Sequence, residues 1–454
     1  MHDPAAVRMT SRLTPSLPAH TTMQRRDFLQ SAATLAALPL LRIPSRRVAP
    51  PVVDGARLNG WLTGFDSIGR TAGGINRTAY SEADLAGRVY TLDLFKQSGL
   101  ATRIDTAGNI YARVEGRTPS LPSILIGSHV DSVTNGGNFD GPVGSFAAIE
   151  VARTLRERNM RLRHPLEVVV WQNEEGGTIG SKIAIGALKP AELDNVARSG
   201  KTIREGIALT GGTVSRIAEA ARRTGDIACY IELHIEQGGL LEKAGVQIGV
   251  VEGIVGLRWS EVTITGFANH AGATPMDQRQ DAMLAAARFT VAVNEVIRSE
   301  PGRQVATVGR LNVTPNTTNV IPGEVVLTID LRDLDASKIA RFQERFETLG
   351  REIGTASNTV FKFRTLTESE PAISDARVMK WIDSGTAALG LTRQRMPSGA
   401  GHDAQELARI APMGMIFIPS VGGISHSPRE FSRPHDITNG ANVLLNAVIA
   451  ADAG

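Results

Sequence analysis

Two apolar runs that stop abruptly at polar residues constrain this chain more than any other feature. SILI opens at Ser123 and gives way to Gly127-Ser128-His129, and LEVVVW (166–171) runs into Gln172-Asn173-Glu174-Glu175-Gly176. Runs apolar at successive positions fit strands buried on both faces, as in a largely parallel sheet. The loop after the first run, GSHVDSVTNGGNFDGPVG from Gly127 to Gly144, uses small residues to present His129 and Asp140. Two strand ends that bring imidazole and carboxylate to one sheet edge point to a hydrolytic metal site.

The alternation of strand and helix extends through the first half. Ser81 with Asp84 reads as the N-cap box of a helix ending near Ser98, closed by Gly99. Strands NIYARVEG and SILIGSH, a helix from Gly144 to about Asn159, strand 166–171 and strand IACYIELH (227–234) follow. This order predicts an α/β fold with a mixed, largely parallel sheet flanked by helices. Near residue 255 the pattern changes. RWSEVTITG, a helix over 281–299, QVATVGRLNV, GEVVLTIDLR, a helix over 336–352 and TVFKFRTL give a β-α-β-β-α-β order, the ferredoxin-like α+β unit. Beyond about residue 366 the first pattern resumes with a helix over 375–389, strand MIFIPS and a last helix after Asp436. The expected organisation is a leader (1–48), a catalytic domain in two parts (49–254 and 367–454) and a domain inserted at 255–366.

With 454 residues the chain is long enough for two domains with cores of their own. Its net charge of +3 is unevenly placed. Residues 1–48 hold seven arginines against Asp3 and Asp27, a surplus of +5, which leaves −2 for the rest. A near-neutral body argues against nucleic acid as a partner. The single Cys229 excludes an internal disulfide and reads as a buried small residue. Arg25-Arg26-Asp27-Phe28-Leu29 precedes an Ala/Leu-rich run, the order of a bacterial twin-arginine export signal. That run is too short to span a bilayer, so the expectation is export to the periplasm without stable membrane insertion. Met23 is a second candidate start.

Hydrolysis of an unactivated amide needs a strong nucleophile at neutral pH. Metal-polarised water supplies one, with a carboxylate to take its proton. His129 follows an apolar strand, and Asp131 two residues on is expected to hold its imidazole by a hydrogen bond. Asp140 alone would read as an Asx turn or helix cap; with His129 in the same loop it becomes a bridging ligand. Glu174 and Glu175 are adjacent, so their side chains diverge, and one can bind metal while the other faces the reacting water. His234 ends IACYIELH, and His426 follows MIFIPS and a Gly-Gly turn.

In this order, GSHVDSVTNGGNFDG, NEEGG, ELHIEQGGLLE, GFANHAGATPMDQRQDA, TPNTTNVIPGEVVLTIDLR, SGAGHDA and SHSPRE resemble the di-metal amidohydrolases of the N-carbamoyl-L-amino-acid hydrolase and allantoate amidohydrolase group, within the wider aminoacylase and glutamate-carboxypeptidase-like family. The resemblance covers about residue 55 to the C-terminus. It implies a zinc-exopeptidase-like catalytic domain with an inserted lid and dimerisation domain. It implies two divalent ions per subunit, zinc first, with manganese or cobalt served by the same ligands. His129, Asp140 and His234 would bind one ion and Asp140, Glu175 and His426 the other. Glu174 would be the general base. The resemblance further implies a cis peptide after Asp140, with Gly141 accepting it. His270, in Asn269-His270-Ala271-Gly272, would stabilise the oxyanion in the partner's site of a homodimer. Asn319 and Arg332 would hold the substrate carboxylate, although Arg332 also has Asp330 and Asp333 as surface partners. Gln237 and the Gly399-Ala400-Gly401-His402 loop would line the pocket.

The histidine at 234, where the peptidases of the wider family carry a carboxylate, points to the carbamoylase branch. One departure stands out. The family commonly continues Gly-Ser-Arg-Phe after the paired glutamates, whereas this chain has Gly176-Gly177-Thr178-Ile179 and then Gly180. The ligands are untouched, so the expected reaction stands: metal-bound hydroxide cleaves the ureido C–N bond of an N-carbamoyl-L-amino acid or related ureido acid. Pocket shape and substrate identity are left open between this, allantoate amidohydrolase, and aminoacylase or peptidase activity. An exported binding protein without turnover is the reading from another class.

Overall fold

The computed structural model describes residues 49–454. The leader assigned to 1–48, with its twin arginines, lies outside the described residues. Among the described residues no helix is long and apolar enough to cross a membrane.

The chain enters through helix α1 (Gly55–Phe65) and helix α2 (Glu82–Gln97), the latter capped by Ser81, whose side chain accepts from the Asp84 amide. Strands β1 (Thr102–Ile104), β2 (Ile110–Val114) and β3 (Ser123–His129) precede helix α3 (Pro142–Glu157). Strands β4 (Leu166–Trp171), β5 (Ile227–Ile235) and β6 (Ile248–Ile254) follow. The inserted unit holds β7 (Gly256–Thr265), α4 (Ala282–Ser299), β8 (Val305–Thr314), β9 (Glu324–Asp333), α5 (Ala336–Ser357) and β10 (Val360–Ser369). The remainder supplies β11 (Ala372–Ile373), α6 (Ala376–Ala388), β12 (Arg393–Ser398), β13 (Met413–Ile418) and α7 (Pro434–Ala453).

Nine strands form the large sheet in the order β11-β6-β13-β5-β3-β4-β2-β1, with β12 beside β6. Its middle four, β13-β5-β3-β4, are parallel, and antiparallel strands flank them. Every residue of β3, β4 and β13 is buried, which is why these segments read as unbroken apolar runs. The larger core cluster joins α1, α2, α3, α6 and α7 to one side of the sheet; a smaller one, around Trp171, Tyr230 and Phe417, fills the other.

In the inserted unit four antiparallel strands run β8-β9-β7-β10, with α4 and α5 packed on one face around Phe289, Phe342 and Phe346. Buried and half-buried positions of β9 alternate after the exposed Glu324, as a sheet with one packed face requires. Helix α5 runs five residues past the expected end at 352. Gly350 and Gly354 let it lie against Phe361 and Phe363, and Asn358 stops it in the left-handed conformation at φ +51.

Candidate active site

All four parallel strands point their C-terminal ends to one edge, and each delivers polar side chains there. His129 is the last residue of β3 and pairs with Trp171, the last of β4, three residues before Glu174. His234 lies opposite Phe417 on β13, so the chain leaving β13 passes over the same edge before reaching His426. Tertiary register therefore gathers residues separated by up to about three hundred positions, as at the switch point of an open α/β sheet.

Two triads result. In the first, His129, Asp140 and His234 offer nitrogen and oxygen atoms within 4.8 Å of one another; in the second, Asp140, Glu175 and His426 do the same. Asp140 belongs to both. Its Oδ1 lies 3.1 Å from His234 Nε2 and 3.7 Å from His129 Nε2, and its Oδ2 lies 3.2 Å from His426 Nε2. Glu175 Oε1 is 3.6 Å from His426 Nε2, and Glu174 Oε2 is 3.7 Å from His129 Nε2.

The donor set fits a pair of cations. His129 Nδ1 donates to the Asp131 carbonyl at 3.1 Å and His234 Nδ1 to the Ile235 carbonyl at 2.9 Å, so Nε2 is in each case the nitrogen that can offer a lone pair to a cation beside Asp140. His234 Nε2 and Glu175 Oε1 are buried without a hydrogen-bond partner. Buried polar atoms rarely stay unsatisfied, and a cation in the triad of each would complete it.

The expected role of Asp131 is corrected in one respect. Its backbone carbonyl, not its carboxylate, holds His129; the nearest carboxylate oxygen is 3.6 Å away. The carboxylate instead accepts the amides of Glu174 and Glu175, each at 3.2 Å, and so orients the paired-glutamate turn. Two backbone donors satisfy it better than one ring nitrogen. The cis peptide after Asp140 is corrected too, because Thr314–Pro315 is the only cis bond among the described residues. Gly141 turns the chain with φ +83, and a Cβ there would lie 2.4 Å from His129 Cε1. A trans glycine makes the turn without the ~2.5–4 kcal/mol of a non-proline cis bond.

Charge is concentrated here. Burial opposes ionisation of Asp140, but the three histidines around it outweigh that and hold its carboxyl well below the usual range. Burial, reinforced by Asp403, Glu175 and Asp131, pushes Glu174 well above the carboxylate range. Burial and Asp140 raise Glu175 to about 7. The hydrogen bond to Asp140 raises His426 to about 9. A carboxyl displaced upward like that of Glu174 is suited to taking and returning a proton near neutrality.

Gln237, in left-handed backbone at φ +59, donates from Nε2 to Asp140 Oδ2 at 2.7 Å, and its Oε1 is buried without a partner. An open groove of about 900 Å³ runs from Gln237 past Gly399 and Ala400. Gly401 is exposed on that loop, while His402 is buried with its ring 4.5 Å from that of His234.

The residues of the inserted unit stand apart. His270 is exposed, and its Nδ1 accepts the amides of Gly272 and Ala273 at 3.0 and 3.1 Å, which leaves Nε2 as the protonated donor. Asn319 sits next to it, its carbonyl accepting the Ala271 amide. Among the described residues no hydrogen bond or ion pair joins either to the two triads. Arg332 forks onto Asp330 with two 2.9 Å bonds, the surface pairing that its sequence neighbours allowed, and its Nη1 reaches the Gly399 carbonyl at 2.6 Å.

Sequence reasoning assigned nothing to Glu430, although SHSPRE contains it. Its carboxylate accepts the amides of both Asp140 and His426. No local signal announces this, because Asp140 and Glu430 are 290 positions apart.

Comparison with known proteins identifies the family. The profile of peptidase family M20/M25/M40 matches residues 125–450. The N-carbamoyl-L-amino acid amidohydrolase of Geobacillus stearothermophilus is 38% identical over 403 residues, covering 87% of this chain and 98% of that protein. The allantoate amidohydrolase of Escherichia coli K12 is 35% identical over 390 residues, covering 85% and 94%. A crystal structure of a hydantoinase/carbamoylase-family amidase from Burkholderia multivorans superposes with a TM-score of 0.81 at 36% identity, covering 89% of this chain and 99% of that one. The chain belongs to the M20/M25/M40 family, and it is a hydrolase of amide-type C–N bonds.

Proposed function

We propose that the protein cleaves the ureido C–N bond of an N-carbamoyl-L-amino acid or a related ureido acid, giving amino acid, ammonia and carbon dioxide, with two divalent cations per subunit. The observation that carries this reading is the pair of triads sharing Asp140, with Glu174 beside them. His129, Asp140 and His234 would hold one ion, and Asp140, Glu175 and His426 the other; bound there, the ions supply Lewis acidity to the water and the carbonyl. Zinc suits the ligands, and manganese and cobalt are served by the same set. Glu174 accepts the proton of the attacking water and delivers it to the departing nitrogen. Asp131 keeps Glu174 and Glu175 on their separate courses by holding both amides.

The inserted unit acts as lid and dimerisation domain in this proposal. Arg332 exchanges the carboxylate of Asp330 for that of the substrate, with Asn319 beside it, and a planar fork suits that exchange. The Nε2–H of His270 donates to the oxyanion in the site of the partner subunit in a homodimer. Gln237 and the loop through Gly401 line the pocket. The leader directs the folded enzyme to the periplasm, and fusion of residues 1–48 to a reporter that is active only after export tests that point.

Glu174→Gln tests the chemistry. The variant is expected to keep both ions and lose turnover by about 10²- to 10⁴-fold, the usual weight of a proton-transfer group. Near wild-type turnover would sink the assignment. A panel of carbamoyl, allantoate, acyl and dipeptide substrates on metal-reconstituted protein fixes the substrate, since Thr178 and Ile179 stand where the resemblance places an Arg-Phe pair. Tight ligand binding by a metal-free protein without hydrolysis would favour the binding-protein reading.

A further inference from the structure

His426 is held differently from the other four residues of the triads. It comes from a loop beyond β13, its side chain is 50% exposed, and its backbone is left-handed at φ +52. His129 and His234 are tied through Nδ1 to carbonyls beside them, but among the described residues nothing bonds to Nδ1 of His426. A ring on such a loop does not hold its place against Asp140 and Glu175 by itself.

Glu430 supplies the tether. It is 5% exposed and makes no ion pair among the described residues, so its carboxylate depends on hydrogen bonds for compensation. Four are present. Oε1 accepts the amides of Phe139 at 2.9 Å and Asp140 at 3.0 Å. Oε2 accepts the hydroxyl of Ser425 at 2.9 Å and the amide of His426 at 3.2 Å. The Ser425 hydroxyl is shared with Asp140 Oδ2, 3.0 Å away. A second observation shows that the chain makes room for this group. A Cβ on Gly137 would lie 2.3 Å from both Cβ and Oε1 of Glu430.

We infer that Glu430 is the positioning residue of the second triad: by clamping residues 139–140 to residues 425–426 it sets the place of His426 against Asp140 and Glu175. It touches neither substrate nor reacting atoms. The first triad shares only Asp140 with this clamp. The segment at 139–141 is also tied to the start of α3 through Val143 to Phe139 and Ser145 to Gly141 bonds, whereas the His426 amide has Glu430 as its acceptor. The inference rests on the two-ion reading above.

The test measures ions bound per chain by elemental analysis as free metal is set by chelator buffers, for the wild-type protein, Glu430→Gln, Gly137→Ala and the exposed-site control Arg429→Ala. Glu430→Gln turns one acceptor into a donor that faces other donors; Gly137→Ala displaces the carboxylate without removing it. The expected result is wild-type affinity for the first ion and about 10- to 100-fold weaker binding of the second in both variants, the range for groups that orient ligands. Excess metal should then restore kcat, and the control should match wild type. Circular dichroism identifies unfolded protein, and if Glu430→Gln does not fold, Gly137→Ala decides. Wild-type affinity for both ions in the folded variants, or equal loss of both, overturns the inference. A wild-type protein that binds fewer than two ions overturns the two-ion reading instead.

Discussion

The large sheet and the inserted unit present their polar residues in opposite ways. On the sheet, His129, Asp140 and His234 are almost wholly buried, and each has partners that dictate where its functional atom points. On the inserted unit, His270 and Asn319 are exposed and Arg332 is spent on Asp330. The first arrangement closes on its own partners; the second leaves His270 and Asn319 facing outward. In the proposed function, buried parallel strands would fix the groups that activate water, and the groups that grip the substrate would sit where motion can bring them in.

If that contrast is right, changes on the sheet should destroy the ion site and changes on the inserted unit should leave it intact. The largest effect is expected for His234→Ala. Losing one ion removes several kcal/mol of polarisation, roughly 10³-fold or more in kcat/KM, with metal content falling in parallel. His270→Ala should cost about 10²- to 10³-fold in kcat, the weight of one oxyanion donor, at unchanged metal content; parallel loss of metal would break the comparison.

Mixing inactive His270→Ala and Glu174→Gln proteins sharpens it further. If His270 serves the partner's site, exchange of subunits in an equal mixture restores about one quarter of wild-type activity, because half the dimers are mixed and each has one intact site. No recovery after proven exchange would place His270 in its own subunit's site. Arg332→Lys should chiefly raise KM, by about 10-fold for a lost bidentate bond to a carboxylate, and a change confined to kcat would contradict a gripping role.

The smallest expected effect is one of pH. Both His426, near 9, and Glu175, near 7, are displaced upward, so in the metal-free protein both hold protons at pH 6. A cation must displace those protons, so apparent metal affinity should rise from pH 6 to 9 with proton release, measurable by calorimetry in buffers of different ionisation enthalpy. The stability term has the opposite sign. A histidine raised from 6.5 to about 9 stabilises the metal-free fold most below pH 6.5, and that contribution is lost as pH rises through 9. A metal affinity that falls as pH rises over this interval would contradict the ligand assignment.

Much of this site was legible in the chain. A strand buried on both faces reads as an apolar run, and the first polar residues after it must lie at the sheet edge; that local rule singled out His129, Glu174 and Glu175, while His234 and His426 were weak signals until the family resemblance joined them to the others. Asp140 needed its neighbour in the same loop to be distinguished from a helix cap. The switch to the β-α-β-β-α-β order was equally local, because periodicity is written into consecutive residues. Strands β6 and β12 were missed: IGVVEGI and RQRMPS carry glycine, proline or charge, so their pairing depends on neighbours that local pattern does not name.

Side-chain destinations were decided by tertiary structure. Asp131 was assigned to the nearest histidine in sequence, but its carboxylate turned to two amides more than forty positions away. Arg332 took the carboxylate two residues before it, a choice set by which acid shared its face of β9. Glu430 carried no local signal, because its role exists only once β5 lies between β3 and β13 and brings the loops that follow those two strands together. By itself the sequence determined which strands are buried and which chemistry ends them, since hydrophobic burial and periodicity act along the chain. The folded structure alone decided which oxygen faces which nitrogen, since hydrogen bonds are directional and short and their partners meet only after long loops have closed.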